Sequence, residues 1–234
     1  MAPVPRHGKG TRVLVDEKDL SDFLRNITVS ASMDPAEITT FGDNDRSYIP
    51  GLKDGTFSFD GLFSAATGGS TDTGDIVNFL DDALGGSPKH VLTVDLERST
   101  GGRALMMRSD NTTYDISSPL DDVVSVAVDS QASDGYAGGR MLRPLSASTS
   151  TGSQSGVLPP GTTAAGGTAG GGVGHLHVTS VASTFATCTF KIQHSTSGAT
   201  WADLITFTAA TAARFQRSTV AGTIKERLRS TISA

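Results

Sequence analysis

Three of the five histidines, the one cysteine and the two Asp-Asp pairs are the side chains in this 234-residue chain whose types and spacing could do chemistry. His175 and His177 lie two apart on one side of a strand pattern, with His194 nearby in sequence. Imidazoles at that spacing can begin a zinc site, but the pattern places no thiol or carboxylate to complete four ligands. They alternate with Leu176 and Val178, which reads as a strand whose histidines face solvent. His175 and His177 therefore stand, with Trp201, as candidate surface-binding positions. Cys188 alternates inward with Phe190 and Ile192, the pattern of an inert core thiol. Asp81-Asp82 falls on the polar side of a helical pattern, and Asp121-Asp122 follows Pro119 in a turn without the spacing of a calcium loop, so both pairs read as solvated acids.

Two glycine-bearing stretches fail as phosphate cradles. Gly8-Lys9-Gly10-Thr11 lacks a glycine five residues before Gly8, and Gly10 separates the lysine from the hydroxyl; the run from Gly166 to Gly174 has neither the GxGxxG order nor a preceding strand. The turn from Ser195 to Trp201 is similar to the Asp-box hairpin of sialidases, but Ser197 stands where the aspartate belongs. Trp201 then reads as a core or interface anchor. No catalytic, cofactor-binding or metal site emerges, and a hydrolase on a β scaffold has no nucleophile–base–acid set to stand on.

The elements that position these residues are mostly strands. Arg12 to Val15 and Ile27 to Met33 are strand patterns, the second with Ile27, Val29 and Ala31 on one face. Phe57, Phe59 and Phe63 share a face with Gly61, opposite Thr56, Ser58 and Asp60, the two-residue period of a half-buried strand. Further strands are expected at Val91–Leu96, Ala104–Arg108, Thr112–Ser117 and Val123–Asp129. In the last of these Val124, Val126 and Val128 point inward. One amphipathic helix is expected over 72–84, where Ile76, Phe79, Leu80, Ala83 and Leu84 form a single stripe before Gly85-Gly86-Ser87-Pro88 ends it.

Residues 146–174 have linker composition. Strand patterning resumes at His175 and continues through Cys188–Gln193, Trp201–Phe207 and segments beginning at Phe215 and Val220. The expected organisation is an N-terminal arm (1–10), a β domain (11–145), a Gly/Ser/Thr-rich linker (146–174) and a small Ig-like β-sandwich (175–234) projecting from the rest. The fold class is mainly β: a β-sandwich or partly closed barrel with one packed α-helix, plus the C-terminal sandwich.

Composition agrees. Hydrophobic residues make up 37% and charged residues 18%, with 27 glycines, which favours β structure with long loops over a helical bundle. A net charge of -5 repels duplex DNA and argues against a sequence-reading nucleic-acid binder. A single cysteine excludes an internal disulfide. The N-terminus has no apolar signal-like run, and no stretch approaches the roughly 18 apolar residues of a membrane helix. The expectation is a chain made in soluble form without membrane insertion.

The polar excursion from Asp34 to Asp54 is pinned at both ends by strands and contains no acid–base pair or ligand cluster. A long ordered loop of this kind is commonly functional, here as a surface that touches another protein. Its residues also carry a resemblance. Glu37-Ile38-Thr39-Thr40-Phe41-Gly42 followed by Tyr48-Ile49-Pro50-Gly51-Leu52-Lys53-Asp54-Gly55-Thr56 resembles the tail tube (major tail) proteins of long-tailed, siphovirus-type bacteriophages. So do His7-Gly8-Lys9, Val13-Leu14-Val15-Asp16, Asp19-Leu20-Ser21 and Ser117-Ser118-Pro119-Leu120-Asp121-Asp122-Val123-Val124, which come in the family's order across residues 7–130. Lys191–Ser195 with Trp201–Leu204 is similar to C-terminal domains appended to some of these proteins.

The resemblance implies a non-enzymatic virion subunit that self-assembles into stacked, hexameric rings around a channel for genome delivery. It implies inter-subunit contact through the loop, with Phe41, Tyr48, Ile49 and Leu52 as anchors beside Lys53 and Asp54. It also implies partners: further copies of itself, a tape measure protein, a tail terminator, baseplate or tip proteins, and passing double-stranded DNA without sequence-specific contacts. The place of assembly would be the host bacterial cytoplasm. No cofactor is implied. The alternative is a surface decoration or adhesion module that binds host glycan or protein through the C-terminal domain.

Overall fold

The computed structural model describes residues 8–63, 84, 89–148, 151–153, 170–183, 185 and 187–233. The helix expected over 72–84 and the acidic pair Asp81-Asp82 lie outside them, except Leu84, which forms an isolated β-bridge to Asn111. After a 3-10 turn at Gly8–Gly10 the elements are strands: β1 Arg12–Val15, β2 Lys18–Asp19, β3 Leu24–Met33, β4 Ala36–Glu37, β5 Tyr48–Ile49, β6 Lys53–Leu62, β7 His90–Asp95, β8 Arg103–Ser117, β9 Ser125–Arg140, β10 Gly152–Ser153, β11 Gly172–Val178, β12 Thr189–Ser195, β13 Ala202–Thr206, β14 Arg214–Val220 and β15 Arg227–Ser233. Seven of them form one open sheet in the order β2-β1-β7-β8-β9-β6-β3, so the sheet is not a closed barrel. The chain divides into two compact units, and β8 and β9 contribute to both.

One unit comprises Phe23–His90 and Met107–Tyr136. Its centre is β6, where Gly55, Phe57, Phe59 and Gly61 are buried and the residues between them are not, the alternation expected from the sequence. Antiparallel pairing sets Ile27 against Phe59 and Val29 against Phe57 on β3, and Val128 against Phe59 on β9. Facing apolar pairs of this kind fix the register, because a slip by one residue would turn the whole set to solvent.

Ser109-Asp110-Asn111 looks like a turn between two strands, yet β8 runs straight through it. Ser109 and Asn111 are buried, and Ser130 Oγ on β9 donates to Asn111 Oδ1 at 2.7 Å, while the Ser109 hydroxyl is buried without a hydrogen-bond partner. β9 likewise continues eleven residues past its expected end at Asp129.

The other unit comprises Met1–Asp22, Val91–Met106 and Ala137–Ala234. Here β1 lies between β2 and β7, with Leu14 opposite Thr93. The sequence predicts alternate burial along β7, but every residue from Val91 to Asp95 is buried. The strand is covered on both faces, as all-round burial requires. Residues 137–234 fall in the same unit as β1 and β7. Within the stretch read as linker, Gly152 and Ser153 pair with Ile232 and Thr231, and Gly172–Gly174 begin β11. Gly and Ser carry no side-chain pattern, so nothing in the sequence marks these backbone pairings.

The C-terminal strands form a four-stranded sheet, β10-β15-β12-β13, and a two-stranded sheet, β11-β14. β14 is one strand rather than two. Val178, Cys188, Ile205, Phe207, Ala210 and Ile232 are buried. Gly174 marks the close approach: a Cβ there would sit 2.8 Å from Ile192 Cδ1 and 2.9 Å from Ile205 Cδ1.

Candidate subunit-contact surface

The loop between β3 and β6 is ordered by its own hydrogen bonds. Met33 pairs with Lys53, and Asp34 N donates to Leu52 O at 3.2 Å, closing the neck. Above it β4 and β5 pair Ala36 with Ile49 and Glu37 with Tyr48. Ile38 N donates to Ser47 O at 2.9 Å, and Ser47 N donates to Thr39 Oγ1 at 3.0 Å. At the tip Asp43 Oδ2 accepts from Thr40 N (2.7 Å) and Thr40 Oγ1 (3.1 Å), a side chain mimicking a backbone turn. Gly51 is required at the neck, since a Cβ on it would lie 1.9 Å from the Asp34 carbonyl oxygen.

This small hairpin presents apolar groups to solvent. Met33, Ile38, Phe41, Tyr48, Ile49 and Leu52 are all exposed large hydrophobics, with Leu52 at 87%. Isolated exposed apolar residues need no explanation, but six on one ordered hairpin and its neck are more than isolated scatter. Lys53 and Asp54 sit at its base, where Asp54 Oδ1 accepts from Gly55 N and from Gln131 Nε2. The structure thus brings all six sequence-predicted contact residues onto one hairpin and its neck.

A second apolar cluster went unread in the sequence. Ile116, Leu120 and Val123, at the connection between β8 and β9, are also exposed. Register places them at the other end of the same unit: Leu62 of β6 pairs with Ser125, and Phe63 N donates to Val124 O at 3.0 Å. Ten residues of β6 separate this end from the loop, about 30 Å at roughly 3.3 Å per residue. Exposed apolar residues after a Ser-Pro break were the signal that could have found it.

The histidines do not face solvent as expected. His175 and His177 are half-buried on β11, and both rings contact Thr93 of β7: Nδ1 of His175 lies 2.9 Å and Nε2 of His177 2.8 Å from Thr93 Oγ1. His177 Nδ1 is 2.6 Å from the Asp16 carbonyl oxygen. Burial lowers the pKa of His175 well below the ordinary imidazole value, helped by the charges of His177 and Arg217 and opposed by a hydrogen bond to the Leu92 backbone. Burial also lowers that of His177, against the backbone and charge of Asp16. Both part-exposed rings are thus tied to Thr93, and His177 also to the Asp16 backbone.

Trp201 closes the β12–β13 hairpin, its Nε1 donating to Gly198 O at 2.9 Å while the Arg229 guanidinium stacks 4.4 Å from its ring centroid. Gly198 adopts the left-handed φ of 83° that the turn needs. Among the described residues no three His, Cys, Asp or Glu side chains converge to hold a metal ion. No helix among them is long and apolar enough to cross a membrane.

No family model matches the chain, and no curated protein does either. Solved structures do. A chain in the virion of a native gene transfer agent particle is similar at 13% identity and a TM-score of 0.46, over 58% of this chain and 99% of that one. The SPP1 tail tube is similar at 10% identity and a TM-score of 0.47, over 58% and 80%. The SPP1 Dit protein, described as a hub adsorption apparatus, covers 95% of this chain and 96% of its own at 11% identity and a TM-score of 0.38.

Proposed function

We propose that this protein is a structural subunit of a bacteriophage tail tube, assembling into stacked rings that form the channel for genome delivery. The observation that carries the reading is the ordered hairpin at 34–54, which holds five apolar side chains in water and coincides with the residues that resemble the tail tube family. A free monomer gains nothing from that arrangement. Burying one Leu- or Phe-sized side chain is worth about 1.5–3 kcal/mol. Association costs on the order of 4–15 kcal/mol in lost freedom, so several anchors together reach the scale needed and one alone does not.

In this reading the loop of one copy meets a neighbouring copy, and the Ile116/Leu120/Val123 end offers a second surface about 30 Å away. The rings are hexameric, after the family. The open edges of the seven-stranded sheet at β2 and β3 are the pairing sites around a ring, turning a common aggregation hazard into a means of assembly. Residues 175–234 stand toward the tube's outer surface. DNA passes without sequence-specific contact, favoured by the excess of acids. The partners are other copies of this chain and the tape measure, terminator and baseplate or tip proteins, and the role is structural rather than enzymatic.

Negative-stain electron microscopy and light scattering of concentrated protein test this. Rings or hollow tubes are expected from the wild type, while Tyr48→Asp and Leu52→Asp should yield folded monomers with unchanged thermal melting. Wild-type assembly unaffected by either aspartate would remove the loop from the contact.

A further inference from the structure

The Thr93–His175–His177 contact has a proton count that can be worked out from its acceptors. The Asp16 carbonyl can only accept, so His177 carries hydrogen on Nδ1 and its Nε2 is a bare acceptor. Thr93 has one hydroxyl hydrogen, which that nitrogen takes. Thr93 Oγ1 must then accept from His175, whose hydrogen is on Nδ1. The remaining atom, His175 Nε2, is buried and without a hydrogen-bond partner. Two neutral rings therefore satisfy a directed chain from His175 through Thr93 and His177 to the Asp16 backbone. Thr93 is itself 3% exposed, so water does not substitute for either ring.

We infer that Thr93, His175 and His177 form a latch that holds β11 against β1 and β7, and that opens in mild acid when both rings are protonated. One added proton can be absorbed. His177 Nε2 becomes a donor to Thr93, the Thr93 hydrogen turns to His175 Nδ1, and His175 moves its own hydrogen to Nε2. A second proton is costlier: both rings then point donors at the one Thr93 oxygen, and the Leu92 backbone beside His175 is the further acceptor that offsets part of this. Two cations would also face each other with ring centroids 6.1 Å apart.

The surroundings offset only part of that charge: the Asp16 carboxylate favours protonated His177, and burial outweighs it. On β14 Arg217 lies opposite His175, and Phe215 opposite His177. On β1 the Asp16 carboxylate is engaged by Val91 N at 2.7 Å. On β7 the acid two residues beyond Thr93, Asp95, is engaged by the Glu97 and Arg98 amides. The lowered pKa of each ring gives the direction: the released state binds more protons below about 6.5 than the latched state does. The latch is therefore closed above that value and lost as pH falls through the lowered pKa values. It does not depend on the assembly reading.

The test uses the full chain. Imidazole resonances are followed by NMR from pH 7.5 to 4.5, alongside amide hydrogen exchange in β11, β1 and β12. The expected result is delayed protonation of His175 and His177, accompanied by loss of β11 and β1 protection while β12 keeps its own. Protection should fall by about tenfold per pH unit for each ring taking up a proton. His175→Asn with His177→Asn retains a donor where each Nδ1–H sits but cannot titrate, so its β11 protection should stay flat. Ordinary titration of both rings with no change in β11 exchange overturns the latch, as does the same acid-induced loss in the double variant. If that variant does not dock at pH 7.5, the wild-type titration decides alone.

Discussion

Asp16 combines two demands in one residue. It is buried, adopts a left-handed φ of 52°, and its carboxylate accepts from the Val91 amide at 2.7 Å. Asp is among the few residues that tolerate this φ, and its side chain ties the turn to β7. Asp16→Ala removes the charged acceptor and leaves a methyl group in an unfavourable conformation. A loss on the order of 2–4 kcal/mol is expected in urea denaturation, whereas Asp16→Asn should cost less than half of it. Gly51 is a second position decided by space. Gly51→Ala should force Asp34 aside, reduce ring or tube formation in electron micrographs, and leave the β6 core intact by circular dichroism. Ser130→Ala removes one hydrogen bond to Asn111 Oδ1 inside the sheet and should lower stability by about 0.5–1.5 kcal/mol.

At the scale of elements, legibility followed the side-chain period. β1 was readable to the residue, and the β6 face of Phe57 and Phe59 was readable from alternation alone, because each phenylalanine must find cover. The loop at 34–54 was legible for the opposite reason: no period and no chemistry, yet strands on both sides. β8 was misread as two strands because Ser109-Asp110-Asn111 has turn composition, and the Ser130–Asn111 hydrogen bond that keeps it extended comes from a strand far along the chain. His175 and His177 were misread because a strand period tells which residues share a side, not what covers that side. The cover comes from Thr93, 82 residues away from His175.

The same logic separates β7 from the strands with one open face. Val94 is fully buried, so Val94→Ala should cost about 1.5–3 kcal/mol, measured by thermal or urea unfolding. Ser58→Ala, on the half-exposed side of β6, should shift stability little at neutral pH. It should, however, raise the carboxyl pKa of Asp129, which hydrogen bonds from Ser58 and then Thr113 hold below its ordinary value.

Over the whole molecule, charge is unevenly distributed. Residues 141–234 carry seven Lys and Arg against two Asp and Glu, whereas residues 1–140 carry twelve against twenty-two. The acids that would keep a channel slippery toward DNA thus belong almost entirely to the first part of the chain. At this scale the apolar groups also acquire a direction, since they lie at both ends of β6 and belong to different segments. If the two ends are complementary, Leu120→Asp should block growth as Leu52→Asp does, and an equimolar mixture of the two variants should form pairs in light scattering but no tubes, because each retains one intact end.

An unlike pair of ends about 30 Å apart has a thermodynamic consequence. Joining unlike surfaces along one axis never uses up the last free surface, so growth carries no internal stop. Such a polymer adds each subunit through the same contact, so its mean length rises with concentration, and it grows to variable length unless another molecule occupies the leading end. A fixed tube length would therefore be a property of the nucleating and capping partners, and not of this chain.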